Sequence, residues 1–335
     1  MVASAPTAAP PPAGPRAWHR WLRVAASAAA LAILFFLLDH IGWDVVGNAF
    51  RSVGIWGAAI LFAMGVLENL LDAAALRASL PPQRRLGLLH TLSYTSVSVL
   101  VNIFIPWEAG EVVKAGLLRR HVDATHAISG TVIWNYIFSL SRPIVTTLAA
   151  LIGLFFVRAL DPKVGWALLA AAAASFLPYL LLKLVLRWSA MRRIAELLHR
   201  LRIWRREPEA ARRSAEALDR QVRDFYRERP RDYARVLLLQ MGARLTSWAT
   251  YGVAAGLLGL HYGFADVALV YASLSLVGLA VLVVPSVRIG VGEGAAFLAF
   301  ALIGFDPGAG LLLTLIMRIK AIATSGTAAL LAGRR

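Results

Sequence analysis

The chain alternates long apolar runs with short polar ones. Residues 24–38, 55–67 and 164–186 are too long and too apolar for an ordinary soluble core. They fit the roughly 20 residues that a helix needs to cross a bilayer. The pattern predicts spans at about 22–40, 53–76, 164–187, 234–259 and 308–331, with 124–158 read as one tilted helix kinked at Pro143. Segments 86–105 and 107–119 read as one helical hairpin and 264–304 as a second. The chain is therefore expected to be an all-α polytopic membrane protein. It would have about six full spans and two re-entrant hairpins, arranged as an inverted repeat.

Composition supports this class: 59% of the 335 residues are hydrophobic and the mean hydropathy is +0.64. The net charge of +16 would point to nucleic acid in a soluble protein. Here the basic residues stand between apolar runs, so topology and contact with anionic headgroups explain them and no nucleic acid is expected. With no cysteine, disulfides, thiolate metal sites and cysteine nucleophiles are excluded. Residues 1–21 form an Ala/Pro-rich terminus expected to lack order. Arg16, Arg20 and Arg23 then precede the first apolar run, and no clear cleavage site follows before Asp39-His40. A retained first span is expected rather than a signal peptide.

Basic residues also set the expected orientation. Both termini fall in the cytoplasm, and the cytoplasmic membrane is the expected location. A first membrane half would occupy 22–186 and a second 234–335, with hairpins entering from opposite faces. Between them, 187–233 is the densest basic segment. Residues 187–232 carry 14 arginines against eight carboxylates, and Ile194, Leu197, Leu198, Leu201 and Ile203 recur at roughly helical spacing. Amphipathic helices near the membrane surface and a solvated linker are both open readings.

A Pro-to-Gly-Glu signature occurs twice. One copy runs Pro106-Trp107-Glu108-Ala109-Gly110-Glu111, and the other runs from Pro285 through Gly290, Val291 and Gly292 to Glu293. Helix breakers beside a carboxylate at membrane depth are tolerated mainly where backbone lines a protein-enclosed cavity. Glu111 and Glu293 read either as caps of half-helices or as a functional pair, and the duplication favours the pair. Each copy is followed by an arginine in an apolar run, Arg142 and Arg318. Each arginine needs a counter-charge, and Glu111 and Glu293 are the natural candidates, within or across the repeats. Arginine also suits phosphate, whose oxygens take two parallel hydrogen bonds from its planar fork.

Other polar positions could line a cavity. Thr91, Tyr94, Thr95, Ser98 and Asn102 share one helical face, which reads as a hydrophilic groove or as inter-helix bonding. Glu68 and Asp72, four residues apart, suit a proton relay or acid/base work, or would neutralise Arg244 and Lys320. Trp134-Asn135-Tyr136 reads as packing more than as cavity wall. No Walker loop, dinucleotide fingerprint, metal-ligand cluster or nucleophile elbow is present, and neither cofactor nor metal is expected.

At its two signatures the chain resembles the flippase-like membrane domain of lysylphosphatidylglycerol synthetases and related stand-alone integral proteins. Residues 106–120, ending in Arg119-Arg120, follow that family's first motif. Residues 285–293 with Ala295-Ala296-Phe297 resemble the second, and Arg142 and Arg318 stand where the family has downstream arginines. The acidic residues that usually flank the first of these are missing from Leu140-Ser141-Arg142-Pro143. The resemblance implies binding or translocation of a lipid with a charged, phosphate-bearing headgroup. No soluble aminoacyl-transfer domain follows the last span, so aminoacyl-lipid synthesis is not expected, and an ATP-driven route would need another subunit. Two other functions stay open. One is a membrane-embedded enzyme using Glu111 or Glu293 as acid or base. The other is an accessory subunit that docks a cytoplasmic transferase through 187–233.

Overall fold

A computed structural model describes residues 39, 42–105, 109–157, 160–187, 208–283 and 288–333. Among them the fold is all-helical, with eleven α-helices, one 3-10 turn and no strand. The expected first span, Pro106 and Pro285 lie outside the described residues, as do 188–207.

Helix α1 (Trp43–Ser79) starts about ten residues before the expected span and bends at Gly54, whose φ of 57° leaves the helical region. Helices α2 (Leu88–Phe104) and α3 (Ala109–Leu118) fold back on each other: Ser98 Oγ donates to Glu111, and the Gly110 amide donates to Asn102. Helix α4 (Ala124–Phe156) is one element running through Pro143, as its length and charges suggested. Asp123 caps it, accepting from the His126 amide. Desolvation there works against the ionised form. The backbone and ring hydrogen bonds of His126 outweigh it and hold the Asp123 carboxyl below its ordinary value.

The apolar run at 164–186 is not one helix. It divides into α5 (Pro162–Ala174) and α6 (Leu177–Arg187). Helices α7 (Pro208–Glu228) and α8 (Pro230–Leu257) follow, then α9 (Phe264–Val283), α10 (Arg288–Leu302) and α11 (Pro307–Gly333). Among the described residues, four stretches are long and apolar enough to cross a membrane: Trp43–Ser79, Ala124–Phe156, Pro162–Leu184 and Pro307–Leu330. Ile55, Trp56, Phe155, Trp166 and Leu298 point outward and are largely exposed. So much apolar surface suits a lipid solvent and not water.

Helix α7 covers the later part of 187–232, and the apolar positions of its earlier part, 194–203, lie outside the described residues. The α7 residues Leu218, Val222 and Phe225 are buried, and Val222 and Phe225 join one cluster with Leu80, Leu118, Ile133 and Ile137. That face is taken up by the protein's own core and is not free to insert into lipid. Asp219 is buried with them, and neither of its carboxylate oxygens accepts a hydrogen bond. Burial, opposed by Arg223 and reinforced by Glu216, pushes its carboxyl above the ordinary value.

Two apolar clusters hold the ends of the bundle. The one just described joins α1, α2, α3, α4, α7 and α8. The other joins the first half of α1 to α8, α9, α10 and α11 through Leu61, Ala255, Leu269, Phe300 and Leu313. Between these clusters α1 carries Glu68, Asn69 and Asp72, and α8 carries Gln240, Arg244 and Ser247.

Candidate functional site

A cavity of about 820 Å³ opens at mid-length of α1, α4 and α8, with walls from α2, α3, α6 and α11. Its lining is mostly apolar with a few convergent charged groups, the composition expected of a ligand site.

On one wall, Glu111 in the first turn of α3 gathers three donors. Lys114 Nζ lies 2.7 Å away, Asn135 Nδ2 donates at 2.7 Å and Ser98 Oγ at 3.2 Å. Lys114 is 1% exposed and sits 3.5 Å above the Trp134 ring, so indole and carboxylate together compensate a buried ammonium. The Trp134 ring is fixed in turn. Its Nε1 donates to the Asp72 carbonyl, and its own carbonyl accepts from the buried Gln240 amide. The approach of α2 to α3 requires a glycine: a Cβ on Gly110 would stand 2.1 Å from the Ser98 carbonyl oxygen.

The second cluster spans three helices. Asp72 pairs with Arg244 at 2.5 Å and Glu68 with Lys320 at 2.8 Å, while Arg244 also lies 3.8 Å from Glu68. Arg244 stacks over Phe138 as well. Asp72 Oδ1 and Arg244 Nε are buried and make no hydrogen bond. Arg142, also on the cavity wall, donates to the Ser275 carbonyl of α9 at 3.0 Å.

The sequence-derived candidates divide accordingly. Glu68, Asp72, Ser98, Asn102, Glu111, Arg142 and Arg244 line one cavity. Tyr94 does not: it stacks on His121 and packs with the end cluster, because the polar stripe of α2 turns past the cavity edge there. Glu293 and Arg318 are not among its lining residues either. They pair with each other at 2.6 Å, and the other oxygen of Glu293 accepts from the Gly290 amide. Gly290 needs its glycine, with φ at 88° near the start of α10. A Cβ on Gly292 would meet only the Arg318 guanidinium, at 3.1 Å. Where Arg142 was the expected partner of Glu111, the ion pair is with Lys114, one helical turn away.

Lys114 was missed as a site residue and Lys320 was named only as a cation needing a counter-charge, while Trp134 and Asn135 line the cavity, the alternative ranked below packing. The spacing of Glu111 and Lys114 was a usable signal. For Asn135 the sequence left cavity and packing as alternatives, since its role depends on which face of α4 meets α3.

Apolar helices around an enclosed, charged cavity define a multi-pass membrane protein. The sequence matches the model of the lysylphosphatidylglycerol synthase TM region over residues 20–325. The chain belongs to that family. No curated protein and no solved structure matches it.

Proposed function

We propose that the chain binds a lipid with a charged, phosphate-bearing headgroup in this cavity and carries it across the membrane. One observation supports the reading most: a mostly apolar cavity at mid-length of the bundle whose cations are each held by a carboxylate or a carbonyl. Lys114, Arg142, Arg244 and Lys320 are the candidate headgroup ligands. Glu68, Asp72 and Glu111 occupy three of them until a phosphate competes. The apolar remainder suits acyl chains.

In this reading α2–α3 and α9–α10 are re-entrant hairpins of an inverted repeat that enter from opposite faces, with both termini in the cytoplasm. The hydrogen bonds across α2–α3 and the glycine-glutamate start of α10 favour it. The test is vesicle reconstitution with a fluorescent anionic phospholipid. Wild type moves the lipid between leaflets, while Glu111→Gln and Arg142→Ala fold and lose most of that movement. Unchanged movement in both variants overturns the assignment.

A second reading has its own support. With its apolar face buried, α7 presents exposed Arg220, Arg223 and Arg227 as a basic stripe. That stripe suits an acidic partner protein, and reversing all three charges should abolish co-purification if one docks there.

A further inference from the structure

The two charge clusters of the cavity are wired differently. Glu111 and Lys114 sit on one helix, whereas the other cluster joins the two halves of the chain. Both of its carboxylates, Glu68 and Asp72, stand on α1. Both cations come from the second half, Arg244 on α8 and Lys320 on α11. Such a group is neutral only while its members stay together.

An anion that binds Arg244 or Lys320 draws that cation from its carboxylate. A carboxylate left ionised and uncompensated at membrane depth costs several kcal/mol. The surroundings hold no ready replacement. Lys114 of α3 is engaged by Glu111, and Arg142 of α4 by the Ser275 carbonyl. From α2 come only the neutral Thr95, Ser98 and Asn102. The remaining charged or titratable neighbours are the phenols of Tyr251 on α8 and Tyr271 on α9 and the guanidinium of Arg318 on α11, which Glu293 of α10 holds. A proton is the remaining means of neutralising the displaced group. Asp72 Oδ1, buried and accepting no hydrogen bond, can take one without breaking a bond.

Building on the headgroup reading above, we infer that Glu68 and Asp72 form a proton-binding site coupled to anion binding. A phosphate-bearing ligand takes Arg244 and Lys320 while a proton from the aqueous phase forms an O–H bond on an α1 carboxyl group. No electron moves and nothing leaves. The two ligands favour each other's binding reciprocally. Transport of the anion then carries a proton in the same direction, and a proton gradient can drive it.

The experiment uses the full chain in phosphatidylcholine nanodiscs, with dioctanoyl phosphatidylglycerol and inorganic phosphate as separate probes. Calorimetric titration in two buffers of different ionisation enthalpy reads the protons taken up on binding. Wild type should take up about one proton per ligand, and its affinity should fall by up to about tenfold per pH unit of rise. Glu68→Gln and Asp72→Asn together should bind independently of pH and without uptake. Binding of the lipid alone marks a headgroup site, and equal binding of phosphate marks a site for free anions. Wild-type binding without proton uptake overturns the coupling and leaves the cavity reading intact. Failure of wild type to bind either probe overturns both. If the double variant does not fold, the buffer dependence of wild type decides by itself.

Discussion

The two glycine-glutamate copies look alike in sequence and differ in structure. Glu111 is 16% exposed, lies on the cavity wall and shares its charge among a lysine, an amide and a hydroxyl. Glu293 is 0% exposed, closes on the amide of its own helix start and on Arg318, and does not line the cavity. The glycines differ in the same sense. Gly110 faces backbone across a tight helix contact, and Gly292 faces the end of a flexible side chain. The first copy places a charge where a ligand can reach it, while the second fixes α10 to α11. A motif repeated in sequence, a glycine directly before a glutamate, therefore recurs here in two different structural settings.

This contrast can be broken in three ways, and a further variant calibrates them. The largest effect should come from Glu293→Gln. Removing one partner of a buried pair costs about 3–5 kcal/mol. Thermal unfolding in detergent should show a loss of that order, and a loss as small as that of Glu111→Gln would erase the distinction. Next is Gly110→Ala, where a methyl forced against the Ser98 carbonyl should cost about 1–3 kcal/mol. Gly292→Ala should cost less, since the Arg318 guanidinium can shift, and equal losses would show the two contacts to be equivalent. Third, Glu111→Gln should remain folded yet lose most lipid movement, because it alters the cavity wall more than the bundle's support. If movement persists, Glu111 is as structural as Glu293.

The smallest effect lies outside both copies and calibrates the stability readout. Asp219 has its folded pKa raised by burial. Its stabilising contribution is therefore complete below the unfolded value and is lost as pH rises through the folded one. Asp219→Asn should raise the melting temperature slightly at neutral pH and leave it unchanged near about pH 4. An unchanged melting temperature at both would place that carboxyl in water.

Several elements could be read directly. The separation of α2 from α3 and of α9 from α10 follows from apolar length and helix-breaking residues, which act locally, whereas 124–158 was ambiguous between one span and two. The break between α5 and α6 was missed because 164–186 stays apolar through it, although Pro178 in the first turn of α6 was a usable sign. The Glu68 and Asp72 pairs were visible only as alternatives, since i,i+4 spacing places two carboxylates on one face without saying what meets that face. Tyr94 was misplaced for a related reason. A polar stripe shows which residues share a side of a helix, but not where along it the cavity ends.

By itself the sequence determined the membrane class, most of the helical segments and two carboxylates that each directly follow a glycine. These depend on hydrophobic length, charge and local backbone preference, which are properties of neighbours in the chain. Only the tertiary structure decided that Glu111 pairs with Lys114 beside a cavity and Glu293 with Arg318 away from it. It likewise joined the carboxylates of α1 to cations about 170 and 250 residues later in the chain. An ion pair depends on distances across the bundle, and those are fixed when all the helices pack together.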